Sequence, residues 1–509
     1  MRATAAGTSA LRRRLTGTFA LVLGLALSGC APTMAGAPVA SPGPSSQSAL
    51  AGQLDAIFAD PLLADAQIGA VFRSLDTGET LYELNAEKLF VPASNMKLLS
   101  GAGALSTLGP DYRYSTQVAA GGPVQDGVLD GPLIVTGSGD PTFSERFFED
   151  SRDVFRAWAD SVKARGITRI AGGVIAVDTA FKGPRLGSGW AWDDLSAGYS
   201  AEYGALQYNE NVVLVDIFPS STTLSPAIVV LSPPTQYVRI LNDTRTMPAG
   251  SLTAIRLERD PASASILLTG EIAADSEGLT ETVSVRDPAL YTATVIRETL
   301  REEGVLVEGP VLRYSPINPS TSAVGAAVPL FEHHSPPLGE ILAGTLKPSQ
   351  NLIAETLLLT AGRVVRGEGR TASGIAVVDS LVRAWDIVES GMRMADGSGL
   401  SRYNLVSPAL LASVLERMDA SPYRDTWLSS LAVAGRDGTL ADRMRDPPLL
   451  DRVVAKSGTL SGIRSLSGYL TTNSGERVVF STMVNNHLQT GAVVDGVVES
   501  ALELVATSR

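Results

Sequence analysis

Ser94-Asn95-Met96-Lys97 is the stretch that decides how this chain is interpreted, because two later segments complete the pattern that it begins. Those segments are Ser349-Gln350-Asn351 and Lys456-Ser457-Gly458. Each pattern, S-x-x-K, S-x-N and K-[ST]-G, occurs once among the 509 residues. Together and in this order they predict one site for serine acylation, whereas any one of them alone predicts little.

The spacing of Ser94 and Lys97 suits a nucleophile and its base. Residues three apart in a helix lie on one face, roughly 5 to 6 Å apart, so the amine is expected beside the hydroxyl. Pro92 fits the entry to that helix. A lysine accepts the serine proton only where its surroundings lower its pKa. A serine in the first turn also lies at the positive end of the helix dipole, with a backbone N–H available to a developing oxyanion.

Lysine is scarce in this chain, which has six lysines among 41 basic residues. Two of the six, Lys97 and Lys456, lie in the motifs. Arginine does not lose its proton in a protein, so a chain that otherwise uses arginine keeps lysine where a deprotonatable amine or a compact ammonium is needed. Composition and motif therefore point to the same chemistry.

Each segment also has an ordinary structural interpretation. Ser94 with Lys97 fits an exposed helix start, Ser349 with Asn351 fits a helix N-cap, and residues 456–459 fit a turn before a strand. Other catalytic schemes have less support, because the chain has three histidines, one cysteine and no G-x-S-x-G elbow. It also lacks a metal-binding pattern, a phosphate loop and a convincing dinucleotide fingerprint, so neither a metal nor a cofactor is expected.

Residues 1–29 are predicted to be a lipoprotein signal peptide. An arginine triplet at 12–14 precedes an apolar run at 15–27 that is too short for a confident membrane span. The run ends in Leu27-Ser28-Gly29-Cys30, which resembles the lipobox of bacterial lipoproteins, so Cys30 is the expected lipidation site. An ordinary signal peptide cut further along stays open. Residues 30–49 are rich in Pro, Ala, Ser and Gly, as expected of a flexible tether.

Charge and cysteine content limit the partners and the location. The net charge of −12 argues against nucleic acid and anionic lipid headgroups, so membrane attachment must come from acyl chains. A single cysteine excludes an internal disulfide, and stability must come from burial in a body of about 460 residues. The expected location is extracytoplasmic, in the periplasm or cell envelope, with the protein anchored to a membrane through Cys30.

Hydrophobic periodicity predicts a catalytic body interrupted by an insertion. A helix at 50–63, strands within 70–84, strands at 466–472 and 477–484, and a helix at 494–505 predict one sandwich of sheet and helices. Helices are expected at 351–361, 375–385 and 408–418. The gap from Ser94 to Ser349 spans 255 positions, against 107 from Ser349 to Lys456, and contains short apolar strands. A β-rich insertion of about two domains is therefore expected.

With these residues in view, the chain resembles the low-molecular-mass class C penicillin-binding proteins, which are D-alanyl-D-alanine carboxypeptidases and endopeptidases of peptidase family S13. The insertion distinguishes that family from class A and class C β-lactamases. The resemblance covers the chain from about residue 55 onward and includes Gly137-Ser138-Gly139-Asp140-Pro141-Thr142, Trp190-Ala191-Trp192-Asp193-Asp194, Tyr208-Asn209-Glu210-Asn211, Asp396-Gly397-Ser398-Gly399-Leu400-Ser401-Arg402 and Asp437-Gly438-Thr439-Leu440.

The resemblance implies an α/β (α+β) multidomain fold with a β-lactamase/transpeptidase-like catalytic domain and a large β-rich insertion forming two extra domains. Residues 50–113 and 332–509 are expected to form the discontinuous catalytic domain. Inserted domain II is expected at 114–190 and 282–331, and a nested domain III at 191–281.

The resemblance also implies roles for the motif residues. Ser94 would be the nucleophile, Lys97 its base and Ser349 the proton relay to the leaving amine. Asn351 would hold Lys97 and the substrate amide, while Lys456 would supply positive potential. Around the terminal carboxylate, the resemblance implies a substrate-binding segment Ser457, Gly458 and Thr459, with the N–H groups of Thr459 and Ser94 forming the oxyanion hole. The family usually has threonine where this chain has Ser457, which keeps the hydroxyl.

Three further residues are weaker candidates for substrate binding. The resemblance suggests that Arg402, Asp193 and Asp194 face the side-chain end of the substrate, where an amino group and a carboxylate need opposite charges. A buried salt bridge or a loop anchor is the competing interpretation for all three.

The expected function is a serine D-alanyl-D-alanine carboxypeptidase/endopeptidase that acts on peptidoglycan stem peptides and cross-links through an acyl-enzyme on Ser94. β-Lactams are the expected covalent inhibitors. A β-lactamase or esterase on the same scaffold is an alternative, which the insertion disfavours. A catalytically silent peptidoglycan-binding or scaffold lipoprotein is another, although the complete set of motifs argues against it. A solute-binding lipoprotein would share the anchor but has no reason to carry the motifs.

Overall fold

A computed structural model describes residues 46–387 and 391–509 of the chain. The predicted signal peptide, Cys30 and most of the tether predicted at 30–49 lie outside those ranges. Residues 46–49, which were predicted to belong to the tether, are instead part of the first helix.

The described ranges contain helices distributed along the whole chain. They are α1 (Ser46–Phe58), α2 (Met96–Leu108), α3 (Asp153–Lys163), α4 (Pro288–Glu302), α5 (Leu338–Leu346), α6 (Asn351–Arg366), α7 (Thr371–Ala384), α8 (Pro408–Asp419), α9 (Arg424–Ser430) and α10 (Gly491–Ser508).

The strands of the described ranges form five sheets. They are β1 (Gln67–Ser74), β2 (Thr80–Leu84), β3 (Ser115–Ala120), β4 (Val124–Gln125), β5 (Val128–Leu129), β6 (Leu133–Thr136), β7 (Arg169–Ile170), β8 (Val174–Val177), β9 (Val212–Phe218), β10 (Ile228–Ser232), β11 (Arg239–Met247), β12 (Ala254–Arg259), β13 (Ser265–Ala273), β14 (Leu279–Ser284), β15 (Leu306–Val307), β16 (Val311–Arg313), β17 (Val328–His334), β18 (Ala432–Val433), β19 (Val453–Leu460), β20 (Ile463–Thr471) and β21 (Arg477–Asn485).

The central sheet joins the two ends of the chain. Its order is β18-β19-β20-β21-β1-β2, with every neighbouring pair antiparallel. Side chains alternate between its faces because a strand repeats every two residues. In β21, Val478 and Phe480 pack with α1 and α10, whereas Val479 and Met483 pack into the helical core on the other side. The predicted sandwich is therefore confirmed.

The helices on the second face of the sheet surround α2. Buried apolar residues of α2, α5, α6, α8 and α9 form one core there. Helix α8 begins as predicted, with Pro408 in the first turn and the Ser407 hydroxyl accepting a hydrogen bond from the Leu410 N–H at 3.2 Å. Helix α6 continues to Arg366, five residues beyond the predicted end.

The long segment between α2 and α5 is rich in strands, as predicted. Two sheets, β16-β8-β6-β3-β17 and β15-β7-β5-β4, use strands from 115–177 and 306–334. Two three-stranded sheets, β10-β9-β14 and β11-β13-β12, use strands from 212–284. Strand β17 crosses the expected boundary at 331, and β14 crosses the one at 281. The exact division into domains II and III stays a prediction.

In the part of the chain that the structure describes, no helix combines the length and apolar character required to cross a bilayer.

Candidate active site

Ser94 lies in a tight turn at the entrance to α2. The turn, Ala93–Asn95, is a 3₁₀ helix that continues directly into α2 at Met96. Lys97 follows in the first turn of α2, so the two side chains share one face as the spacing predicted. The Lys97 Nζ lies 2.9 Å from the Ser94 Oγ, and the lysine side chain is fully buried.

The contacts of Lys97 suit a neutral amine. Besides Ser94, Nζ contacts Asn351 Oδ1 at 2.6 Å and the Ser398 carbonyl oxygen at 2.7 Å. Those two oxygens only accept hydrogen bonds, whereas a serine hydroxyl can also donate one. A neutral amine has two N–H donors and one lone pair, so it can donate to both oxygens and accept the Ser94 proton.

Burial favours that neutral state. It lowers the pKa of Lys97 to about 7, while the negative charges of Asp396 and Glu355 oppose the shift. The pKa of Lys456 also lies well below its ordinary value, because that amine is buried and faces the charge of Lys97. Burial therefore favours deprotonation of Lys97 near neutral pH.

The second motif lies where α6 begins. Ser349 has a left-handed backbone (φ 67°) just before the helix, and Gln350 caps it by accepting the Ile353 N–H at 3.2 Å. Asn351 donates from Nδ2 to the Tyr199 carbonyl at 2.8 Å, which sets its amide so that Oδ1 faces Lys97. Tyr199 belongs to the insertion, so the insertion holds a residue of the second motif in place.

The third motif lies on β19, beside the turn that carries Ser94. A Cβ on Gly458 would lie 2.8 Å from the Pro92 carbonyl oxygen and 3.0 Å from the Ser94 nitrogen, so only glycine lets the strand approach so closely. Lys456 is fully buried and donates to the Ser457 carbonyl at 2.7 Å. The Ser457 hydroxyl donates to Thr439 Oγ1 at 2.6 Å, and Arg464 donates to Thr459 Oγ1.

A cavity of about 680 Å³ brings the motifs together. Its walls include Ser94, Ser349, Asn351, Ser457 and Thr459. A second cavity of about 760 Å³ shares Tyr199, Ser349 and Asn351 with it and extends between the insertion and the start of α6. Ser94 therefore lies in a groove that continues past Ser349.

The three weaker candidates line these cavities in different places. Arg402 and Asp194 line the cavity that contains Ser94, whereas Asp193 lines the second one. Arg402 donates to the Ser461 carbonyl at 2.8 Å, and Asp194 accepts the Tyr199 hydroxyl at 2.5 Å. Asp194 therefore anchors a loop, and it also faces the cavity.

Glu355 belongs to the same site, although none of the three motifs includes it. Its fully buried carboxylate accepts the N–H groups of Gly397 and Ser398, and Ser398 in turn contacts Lys97. Burial, and then the neighbouring Asp396, raise the pKa of Glu355. The detectable signal was a charged residue inside the apolar stretch Leu352-Ile353-Ala354-Glu355-Thr356-Leu357-Leu358.

Known proteins match most of the chain. The model of the D-Ala-D-Ala carboxypeptidase 3 (S13) family matches residues 50–507. A D-alanyl-D-alanine carboxypeptidase of Actinomadura sp. (strain R39) is 34% identical over 452 residues, which cover 85% of this chain and 80% of the relative. D-alanyl-D-alanine carboxypeptidase DacB of Haemophilus influenzae is 26% identical over 432 residues, covering 83% of this chain and 86% of the relative.

Solved structures share the fold. Penicillin binding protein 4 (dacB) of Haemophilus influenzae superposes with a TM-score of 0.77 at 24% identity, over 89% of this chain and 99% of that one. A second structure of the same protein, complexed with a novel β-lactam, has a TM-score of 0.73 at 22% identity, over 89% of this chain and 99% of that one. The expected multidomain α/β fold is thereby confirmed.

Proposed function

This chain belongs to the D-Ala-D-Ala carboxypeptidase 3 (S13) family and is a penicillin-binding serine D-alanyl-D-alanine carboxypeptidase, in which we propose that Ser94 is the nucleophile and Lys97 its base. The observation that carries this assignment is the 2.9 Å contact between a half-buried serine hydroxyl and a fully buried lysine amine with a pKa of about 7. The substrate is the terminal D-alanyl-D-alanine of a peptidoglycan stem peptide.

The proposed reaction forms and breaks one ester. Lys97 Nζ takes the Ser94 proton while Oγ attacks the carbonyl carbon of the penultimate D-alanine. As the tetrahedral intermediate collapses, the C–N bond breaks and the proton passes through Ser349 to the leaving amine, which releases D-alanine. Water then hydrolyses the ester and restores Ser94. Ser349 is proposed for the relay because it lines the cavity beside Ser94.

The strand β19 supplies the groups proposed for recognition. The Ser457 and Thr459 hydroxyls line the cavity and are assigned to the terminal carboxylate, with the N–H groups of Thr459 and Ser94 at the oxyanion. Gly458 allows β19 to approach Ser94, and Lys456 is proposed to supply positive potential when protonated. Arg402 and Asp194 are proposed to contact the side-chain end of the stem peptide, with Asp193 further along the groove.

Intact-protein mass spectrometry after mixing with benzylpenicillin tests the nucleophile, with Ser94→Ala as the paired variant. We expect a long-lived adduct on the wild-type protein, mapped by peptide digestion to Ser94, and no adduct on the variant. Release of D-alanine from a pentapeptide should disappear in the same variant. A rapidly lost adduct would instead favour a β-lactamase, and folded protein without any adduct would favour a silent scaffold.

We also propose an endopeptidase activity on cross-linked peptides, which have a larger leaving group than free D-alanine. The second cavity supports this activity, because the cavity begins at Ser349, where we propose that the leaving amine is released, and has a volume of about 760 Å³. Its far wall comes from β12 and β14 of the insertion, including Leu257 and Thr282. We propose that domain III, at 191–281, and the edge of domain II, at 114–190 and 282–331, border the binding site for the leaving strand.

Narrowing that cavity should separate the two activities. Thr282→Trp adds bulk to its wall, whereas Ile228→Trp places the same bulk at an exposed position of β10 outside it. Cleavage of a cross-linked dimer and release of D-alanine from a pentapeptide are measured for both. Only dimer cleavage should fall, and only in Thr282→Trp. An equal fall in both activities of that variant would contradict the proposed place of the leaving strand.

We also propose where in the cell the protein lies. The substrate polymer lies outside the cytoplasm, and we propose that a lipid on Cys30 anchors the protein to a membrane there. Mass spectrometry of the N-terminal peptide after membrane extraction tests this, with Cys30→Ala as control. A diacylglyceryl adduct on Cys30 is expected, together with loss of membrane association in the variant. A mature N-terminus beyond residue 30 without lipid would indicate an ordinary signal peptide.

A further inference from the structure

We propose that Glu355 is a positioning residue for the Lys97 base, acting through the loop segment Gly397-Ser398. The inference rests on the function proposed above and adds a residue that does not touch the reacting atoms. Of the three contacts described for the Lys97 amine, only the one to Ser94 lies within the same motif. The other two, to Asn351 and Ser398, both lead to Glu355.

The first connection is through helix α6. Asn351 and Glu355 are four residues apart, so they lie one turn apart on the same face of the helix. Asn351 directs its Oδ1 at Lys97 at 2.6 Å, and Glu355 directs its carboxylate at the loop that passes over the amine. One helical face therefore positions two of the three partners of Lys97.

The second connection is through the loop itself. Glu355 Oε1 accepts the Ser398 N–H at 2.8 Å and the Gly397 N–H at 3.0 Å, while Oε2 also accepts the latter at 3.1 Å. The carbonyl of Ser398 accepts from Lys97 at 2.7 Å. The Ser100 hydroxyl, three residues after Lys97 on α2, donates to the Gly397 carbonyl at 2.7 Å. The loop is thus held between α6 and the helix that carries the base.

The fit of the loop onto α6 is tight. A Cβ on Gly397 would lie 2.8 Å from the Ala354 carbonyl oxygen, so the backbone sits directly on the helix. On its other side Asp396 accepts the N–H groups of Gly399 and Ser401 at 2.8 and 2.7 Å. Replacing Glu355 leaves the buried N–H groups of Gly397 and Ser398 without their acceptor, which costs free energy and releases the segment that aims the Ser398 carbonyl.

Two substitutions of Glu355 separate positioning from general stability. Glu355→Ala removes the acceptors, whereas Glu355→Gln keeps one amide oxygen, and Oε1 alone accepts both loop N–H groups. Leu359→Ala, also buried in α6, is the matched control for a weakened core. Each variant is made in the mature protein, and its thermal unfolding is measured beside kcat and KM for D-alanine release.

We expect kcat to fall about tenfold to a hundredfold in Glu355→Ala with KM within about twofold, because misplacing a base slows chemistry more than binding. Glu355→Gln should recover most of kcat, and Leu359→Ala should lower the unfolding temperature while leaving kcat nearly unchanged. The proposal is overturned if Glu355→Ala retains wild-type kcat, if glutamine fails to recover activity, or if Leu359→Ala slows turnover equally.

Failure of this inference is distinguishable from failure of the proposed function. The wild-type protein and Ser94→Ala are compared with benzylpenicillin first. An adduct that maps to Ser94 supports Ser94 as the nucleophile, whatever the effect of the Glu355 substitutions. The Glu355 variants then test positioning alone. Absence of that adduct on the wild-type protein overturns the proposed function, and with it the inference about Glu355.

Discussion

The Lys97 amine lies 2.6 Å from Asn351 Oδ1, although the two residues are 254 positions apart in the chain. This contact joins α2 to α6 and brings the S-x-x-K and S-x-N motifs to one site. Asn351 is oriented by the Tyr199 carbonyl at 2.8 Å, so the insertion contributes to the geometry around the Lys97 amine.

The rate of acylation should depend on pH through Lys97. Its pKa is lowered to about 7 by burial, and the protonated amine below that pH cannot accept the Ser94 proton. The second-order rate constant for benzylpenicillin should therefore fall about tenfold per pH unit below the pKa and level off above it. Stopped-flow or quenched-flow measurement at constant ionic strength gives the profile. A flat profile from about pH 5 to pH 9 would argue against a lysine base.

Asn351→Asp should move that profile toward higher pH. The aspartate keeps an oxygen near Lys97 and adds a negative charge, which favours the ammonium form and raises the pKa of the lysine. We expect the acidic limb to shift upward by about one unit or more. Asn351→Ala serves as the comparison, since it removes the acceptor without adding charge. An unmoved limb in the aspartate variant would assign the titration to a group other than Lys97.

Gly399→Ala should be far more damaging than Gly475→Ala. Both glycines have a left-handed backbone, with φ of 86° and 90°. A Cβ at Gly399 would lie 1.8 Å from the Ala93 carbonyl oxygen beside Ser94, whereas the space around Gly475 is open. The Gly475 variant should therefore lose about 1 kcal/mol of unfolding free energy from backbone strain alone.

Denaturant unfolding and the benzylpenicillin adduct are measured for both glycine variants. Gly399→Ala should lose several times more stability, because a backbone clash adds to the strain, and it should form little adduct on Ser94. Equal losses in the two variants would show that the contact with Ala93 relaxes freely.

Ser457→Thr should retain activity, whereas Ser457→Ala should lose it. Threonine keeps the hydroxyl that donates to Thr439 at 2.6 Å and that we propose contacts the terminal carboxylate. Loss of a hydrogen bond to a charged group should lower kcat/KM of the alanine variant by about tenfold to a hundredfold. Steady-state release of D-alanine measures this. Thr439→Val removes only the hydrogen bond between Ser457 and Thr439, so it distinguishes that contact from the proposed contact with the carboxylate. Wild-type activity in Ser457→Ala would show that Ser457 does not contribute to substrate binding.

Much of the fold could be predicted from local patterns. The strand-like segments 466–472 and 477–484 predicted β20 and β21, and Ser407-Pro408 predicted the start of α8. The uneven spacing of the motifs predicted the β-rich insertion. The exact ends of the helices were harder to predict. Helix α6 extends five residues past its predicted end, and the first helix begins inside the expected tether.

By itself, the sequence determined the identity and order of Ser94, Lys97, Ser349, Asn351 and Lys456, because motif chemistry and helical spacing are local properties. The tertiary structure decided which of these groups are in contact and which protonation state is favoured. Lys97 has a lowered pKa because folding buries it, and Glu355 is connected to Lys97 through a loop about forty residues away in the chain. Burial and contacts between distant segments arise only when the chain is folded, so no local pattern could specify them.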